Sequence, residues 1–240
     1  MNYKKNFLYV SLIILSVFLN KISIGADSTT ASFEKQNKKS KYVSISFGMG
    51  VSTSNNPSLK NFIELDVPNY IFDPNIEKVS EFTTGIGFFG GVEFQIKNNF
   101  SIKPEYSYFI KAIDIPSNAN YQYHYNSNQP MIMFNYIFSQ RNSYIKFALG
   151  GGYFFNNFTR KVINIETEYS SSGAAIKFEG IFNAQLGKSA ATYFSGFLVQ
   201  SFSSDLKHSN GNYLLDLNGG KVNLNSFGLG VRLGLEIFIF

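Results

Sequence analysis

The sequence predicts an all-β chain: a closed antiparallel up-and-down transmembrane β-barrel, of eight strands, behind an N-terminal signal peptide. Three observations predict it. Apolar and polar residues alternate with a period of two in eight segments between Tyr42 and the last residue, the pattern of a strand with one apolar face. The connections between these segments are short and long in turn, as where tight turns gather at one mouth of a barrel and loops at the other. The composition joins 26 Phe, 15 Tyr and 20 Gly to only 15% charged residues. Mean hydropathy is nevertheless near zero, because lipid-facing and lumen-facing positions cancel along each strand.

The chain opens with Lys4 and Lys5, an apolar run over 7–19, and Ser23-Ile24-Gly25-Ala26. This is the charged, apolar, small-residue order of a secretory signal, and the run is shorter than the roughly 20 residues a spanning helix needs. Residues 1–26 are expected to be a signal peptide for the Sec pathway, 27–40 a flexible periplasmic arm too polar to fold alone, and 41–240 the barrel. Without Lys4, Lys5 and Lys21 of the leader, 18 basic residues face 16 acidic ones, so no nucleic-acid footprint is expected. The chain has no cysteine, which excludes disulfides, thiol nucleophiles and cysteine metal sites.

The first segment, 42–51, sets Val43, Ile45, Phe47 and Met49 against Ser44, Ser46, Gly48 and Gly50. The second, 81–96, carries Ile86, Phe88 and Phe94 on one face and Gly85, Gly91 and Glu93 on the other; Asn98-Asn99 then offers a hairpin turn. In the third, 100–113, Pro104 has no N–H for the ladder and points to a bulge or to a different strand boundary. The fourth (130–139), fifth (144–155) and sixth (173–186) keep the alternation, with turns at 140–143 and 187–189. The seventh, 192–202, alternates least cleanly. The eighth, 222–240, sets Leu229, Val231, Leu233 and Leu235 against Gly228, Gly230, Arg232 and Glu236. Long loops are expected at 52–80, 114–129, 156–172 and 203–221.

A bilayer offers no water to unpaired backbone groups, so such a sheet must close on itself, and eight strands leave an interior just filled by side chains. The inner face then carries Glu93, Lys103, Glu105, Lys146, Lys177, Glu179, Arg232 and Glu236, with Lys111 on the same parity. Enclosed ions must pair, so an ion network that plugs the lumen is expected. A soluble lipocalin-like barrel or sandwich would turn the same faces the other way. The leader, the apolar last strand and the aromatic richness of the apolar face favour lipid.

With these segments laid out, the sequence resembles the OmpA/OmpX-like superfamily of small outer-membrane barrels. The stretch Pro130-Met131-Ile132-Met133-Phe134-Asn135-Tyr136, a turn, and Tyr144-Ile145-Lys146-Phe147-Ala148-Leu149-Gly150-Gly151-Gly152-Tyr153-Phe154 looks like the central hairpin of the "outer membrane protein beta-barrel" families. The ending from Phe227 to Phe240 looks like the final strand read by the barrel-assembly machinery, with Phe240 the terminal aromatic and Phe238 two before it; Gly234 and Glu236 depart from the apolar run on that parity. Met1-Asn2-Tyr3-Lys4-Lys5 and the long polar loops are similar to surface antigens of rickettsia-like bacteria. The resemblance implies a bacterial outer membrane location, lipid and lipopolysaccharide or an equivalent around the barrel, the assembly machinery as a partner, and a surface or host ligand for the loops.

No catalytic, cofactor or metal site is expected. His124 and His208 fall in predicted loops, and His208-Ser209 would face opposite ways on a strand, whereas lipid A deacylating barrels use a His and a Ser on adjacent inward positions. Asp205 with Asp216, and Glu166 with Glu168, read as solvated carboxylates. Tyr121, Tyr123 and Tyr125, and Phe62, Tyr70 and Phe72, read as girdle or loop-packing aromatics ahead of a recognition surface. The leading expectation is a non-enzymatic barrel that displays its loops; a narrow porin is the alternative, with a lipid-modifying barrel enzyme behind it.

Overall fold

A computed structural model describes residues 43–66, 83–115, 121–140, 143–187 and 189–239. The leader, the arm, Tyr70, Phe72, Lys188 and Phe240 lie outside these residues. The elements are β1 (Val43–Asn55), α1 (Pro57–Asp66), β2 (Thr84–Lys97), β3 (Phe100–Ile115), β4 (Tyr121–Gln140), β5 (Ser143–Val162), β6 (Ile165–Ala184), β7 (Ala190–Ser203), β8 (Lys207–His208) and β9 (Ser226–Ile239).

Strands β1 to β7 pair in sequence order, β7 pairs with β9, and β9 returns to β1, every pair antiparallel. Eight strands therefore close a ring, and β8 is a two-residue addition lying on β6. No described helix is long and apolar enough to cross a membrane. The closing seam brings Gly48 of β1 opposite Gly234 of β9. A Cβ on either glycine would run into the facing backbone, the Leu233 carbonyl in one case and the Phe47 carbonyl in the other. A Gly234→Val variant is expected to lose the fast-migrating folded band on an unboiled detergent gel.

Burial decides which face is inside. Phe134 and Leu233 are 58% and 60% exposed, while Lys103 and Glu179 are 0% exposed. The same outward parity exposes Phe47, Phe88, Phe147 and Phe178 around the ring. An apolar surface of that extent in water would far exceed the few hundred Å² that soluble monomers expose; in hydrocarbon it is the expected outer wall.

Three features differ from the sequence reading. Strands β4, β5 and β6 each have 20 residues, well beyond the roughly 9–11 that a tilted membrane strand needs. Most of the predicted loops at 114–129 and 156–172 is therefore strand that continues past the apolar belt, and β5 turns into β6 through Ile163 and Asn164 alone. Ile163 takes the left-handed region with φ 58°, uncommon for a β-branched residue. Next, the register shift in the second hairpin lies between Gln95 and Lys97, and Pro104 leaves the register intact. Last, the first predicted loop contains α1. Asn56 accepts the Leu59 N–H at 2.9 Å as an N-cap, Pro57 fills the first helical position where no N–H is needed, and Leu59, Phe62 and Ile63 form the buried face.

Candidate functional site

The barrel interior is organised in three levels, described from the mouth with the short turns to the mouth with the long connections. At the first, Lys146 of β5 donates to Glu93 of β2 at 2.6 Å and to Glu236 of β9 at 2.9 Å. Glu236 also accepts from Ser44 at 2.6 Å, Asn183 at 2.8 Å and Tyr144 at 3.0 Å. Ser101 donates to Glu93 at 2.6 Å and receives the Asn135 amide at 3.0 Å. One layer of side chains thus ties seven of the eight ring strands together. Phe238 lies half-buried beside it, its ring 6.3 Å from that of Tyr144.

The second level is denser in charge. Glu105 of β3 receives Lys177 of β6 at 2.7 Å and Arg232 of β9 at 2.6 Å, with Lys103 at 2.7 Å from its other oxygen. Glu179 of β6 pairs with Lys177 at 2.6 Å and accepts from Ser195 at 2.5 Å and Tyr193 at 3.0 Å. The Arg232 guanidinium sits between the rings of Phe89 and Phe197, 4.8 and 4.7 Å from their centroids, a cation–π contact on each side. Register explains how these long side chains fit. Arg232 stands opposite Gly50, Glu105 opposite Gly91 and Lys177 opposite Gly150, so each of these three faces, on one neighbouring strand, a residue with no side chain. The four cations and four carboxylates of the two levels balance in charge. All eight are buried, and burying them is tolerable only because each ion has a partner. Lys111 stands higher, 3.3 Å from Ser54, beside a cavity of about 60 Å³ whose lining includes Arg232 and Tyr125.

The third level is apolar and closes the other mouth. Leu59, Phe62 and Ile63 of α1 pack with Tyr121 and Tyr123 of β4, Phe158 of β5, and Leu206, Leu214, Val222 and Leu224 of the β7–β9 connection. That connection folds on itself: Leu206 N–H donates to Val222 O, Val222 N–H to Leu214 O and Leu214 N–H to Leu206 O, at 2.7 to 3.0 Å. Tyr121 and Tyr123 are therefore interior packing residues, with Tyr123 stacked on Phe158 at 6.0 Å; neither belongs to a lipid-facing girdle. Asp66, at the end of α1, accepts both Nε and Nη2 of Arg160 at 2.6 and 2.7 Å and the Tyr123 hydroxyl at 2.7 Å. This fork fastens the helix to the wall.

Burial, and the Asp66 carboxylate it donates to, push the Tyr123 phenol well above its ordinary range, and the hydrogen bonds to Asp66 raise Arg160. A raised group contributes fully below its ordinary pKa, about 10 for a phenol, and fades only above it. Measured relative to a small peptide substrate at each pH, trypsin cleavage at Lys60 is expected to be equally slow from about pH 6 to about pH 9. An Arg160→Ala substitution is expected to speed it about tenfold, as for loss of a charged hydrogen bond near 1.5 kcal/mol.

The two histidines and the loop carboxylates Asp205 and Asp216 take no part in these levels. His124 is on β4, paired with Ala112 and Thr159, not in a loop. His208 Nδ1 accepts the Asn210 N–H at 3.2 Å inside a turn, with Ser209 Oγ at 3.5 Å. Asp216 closes another turn by accepting from Asn218 and Gly220, and Asp205 faces Lys221 at 4.0 Å. Among the described residues no group of three His, Cys, Asp or Glu is placed to hold a metal ion.

Fold and interior together define a membrane-spanning β-barrel with a filled lumen and a packed cap. Among solved structures, the chain is similar to a major outer membrane protein from Thermus thermophilus, with 9% identity and a TM-score of 0.49 over 82% of this chain and 99% of that one. It is also similar to Ail, the attachment invasion locus protein of Yersinia pestis, with 10% identity and a TM-score of 0.48 over 83% and 99%. A third is the outer membrane protease OmpT from Escherichia coli, with 7% identity and a TM-score of 0.43 over 87% and 99%. At such identities the likeness concerns the fold alone. No protein-family model matches the chain, and no curated protein sequence does.

Proposed function

We propose that this chain is a non-enzymatic outer-membrane barrel that holds a rigid interaction surface at the mouth with the long connections. The observation that carries this reading is the contrast between a lumen closed by paired ions beneath a packed cap and the side chains the same mouth leaves open. Ile163 and Ile165 at the β5–β6 turn are 63% and 73% exposed, and Leu217 in the β7–β9 connection is 75% exposed. Nearby, Tyr213 lies under Lys221, whose Nζ is 3.9 Å from the ring centroid. Apolar tips on tight, hydrogen-bonded turns with basic neighbours suit recognition of another surface, because such turns leave little to be ordered on contact.

In this reading the leader sends the chain through the Sec pathway and the barrel-assembly machinery inserts it, with Phe238 and Phe240 in the strand it recognises. Outer-membrane lipid, with lipopolysaccharide or an equivalent, surrounds the belt, and a surface or host ligand meets the exposed tips. Planar-bilayer recording tests it: the purified full chain is expected to give no sustained conductance steps. Steady ohmic steps that survive a repeat preparation would end this reading and establish a narrow porin.

A further inference from the structure

The lipid-facing wall is not uniform. An apolar groove with a volume of about 720 Å³ crosses five strands, β1 to β5, within the roughly 300–1,000 Å³ range of small-ligand sites. It forms where the outward parity lacks a side chain, at Gly90 and Gly151, between the flanks of Phe47, Tyr106, Ile132 and Tyr153. The paired row Ser46, Gly91, Glu105, Met131 and Gly152 runs beneath it, so the groove follows the direction across the strands. Four strand spacings of about 4.8 Å make it roughly 19 Å long. With strands tilted about 35–45°, it climbs on the order of 12 Å along the barrel axis. One leaflet contributes about 15 Å to a hydrocarbon core of about 30 Å.

The backbone is altered at the same place. Between Gly91↔Glu105 and Phe94↔Ile102 the β2–β3 pairing is interrupted at Pro104, and between Asn128↔Phe155 and Met131↔Gly152 the β4–β5 pairing is interrupted at Pro130. A proline has no N–H to give a neighbouring strand, and both interruptions open into the groove. Its aromatic flanks are held in place: the Tyr106 hydroxyl donates to Asn128, and the Tyr153 hydroxyl lies 3.1 Å from Ser172 Oγ. The hydroxyls are thus engaged along the strands, and the ring faces are left as fixed apolar walls.

We propose that the groove is a binding site for one acyl chain of a membrane lipid. This rests on the membrane placement proposed above. Inside a bilayer the groove fills with hydrocarbon, and an acyl chain gains no hydrophobic energy by leaving its neighbours. What holds one chain there is packing: the backbone floor and the anchored Tyr106 and Tyr153 rings give it dispersion contacts that mobile neighbouring chains do not. The climb of about 12 Å stays within the roughly 15 Å of one leaflet, so a single chain lying obliquely along the wall fills the groove, and its mainly apolar lining suits hydrocarbon.

The full chain, reconstituted in phosphatidylethanolamine–phosphatidylglycerol vesicles containing a phosphatidylcholine with a mid-chain diazirine, is irradiated and its adducts are mapped. Labelling of Phe47, Ile132 and Tyr153 is expected to exceed that of Phe178, Leu198 and Leu229 on the opposite wall several-fold. A Gly90→Leu/Gly151→Leu variant should reduce it to the level of the rest of the belt. A Cβ at these positions meets nothing nearer than Ser46 O at 3.9 Å and Ala175 O at 3.4 Å, so the variant should keep its folded band on an unboiled gel. Equal labelling all round overturns the site and leaves the membrane placement standing. Labelling nowhere overturns both. Labelling of Phe47, Ile132 and Tyr153 below that of the opposite wall, with chain dimers trapped by an added bifunctional amine cross-linker, assigns the groove to a second copy and overturns the acyl occupant.

Discussion

A Glu105→Gln variant is expected to lose about 3–5 kcal/mol of folding stability, the cost of breaking a buried ion pair by removing one partner. Glu105 is where the second level converges, since Lys103, Lys177 and Arg232 all reach its two oxygens. Glutamine keeps the shape, removes the charge and offers N–H groups where cations already point. Three buried cations would then share Glu179 alone at this level. A midpoint shift in urea unfolding from vesicles or micelles reads the loss, and Glu64→Gln on the outer face of α1, whose partner Lys60 is 3.8 Å away and exposed, is expected to shift it by less than about 1 kcal/mol. Adding Lys177→Met should recover part of the loss, because one surplus cation leaves with it. If Glu105→Gln unfolds at the wild-type midpoint, the ions are solvated and the lumen is open to water.

The barrel strands and the direction they face were legible because the alternation is strong wherever the inner positions are small or charged. Ser44, Ser46, Gly48 and Gly50 on β1, and Gly228, Gly230, Arg232 and Glu236 on β9, contrast sharply with their apolar neighbours. Strand β7 was blurred for a physical reason. Its inner positions Tyr193, Phe197 and Val199 stand where the lumen is packed with rings and aliphatic groups, so both faces read as apolar. Which ion meets which was not legible. Period two gives a side of the sheet and says nothing about register, and Lys146 meets Glu236, 90 positions away, only because the ring closes through β9.

The signals of the cap are present in the sequence, but each is weak. Asn56-Pro57, followed by Leu59, Phe62 and Ile63, is a helix start with apolar residues at helical spacing, but ten residues inside a long polar connection carry little weight alone. Tyr121, Tyr123 and Tyr125 continue the alternation beyond Pro130, and their inward parity reverses the polar-in rule used for the belt. Above the hydrocarbon the wall meets water on its outside, so its interior becomes an ordinary apolar core, closed by α1 and the β7–β9 connection. The Asp66–Arg160–Tyr123 fork joins positions 57 and 94 apart, and nothing in the spacing announces it.

Lys146→Met is expected to cost a similar amount to Glu105→Gln, about 3–5 kcal/mol, with a different pattern of rescue. It leaves two buried carboxylates, Glu93 and Glu236, in one layer without their shared cation. Their surroundings are unequal. Glu236 keeps Ser44, Tyr144 and Asn183 as donors, whereas the other donor described for Glu93 is Ser101. A carboxylate accepting several hydrogen bonds tolerates burial better than one accepting a single bond. Glu93→Gln should therefore restore more stability to Lys146→Met than Glu236→Gln does, and a double-mutant cycle on the urea midpoints separates the two. Equal rescue by both would mean that like charge, not hydrogen bonding, sets the cost. No rescue by either would mean that the layer admits water when Lys146 is lost, and the seven strands it ties would then owe their alignment to backbone pairing alone.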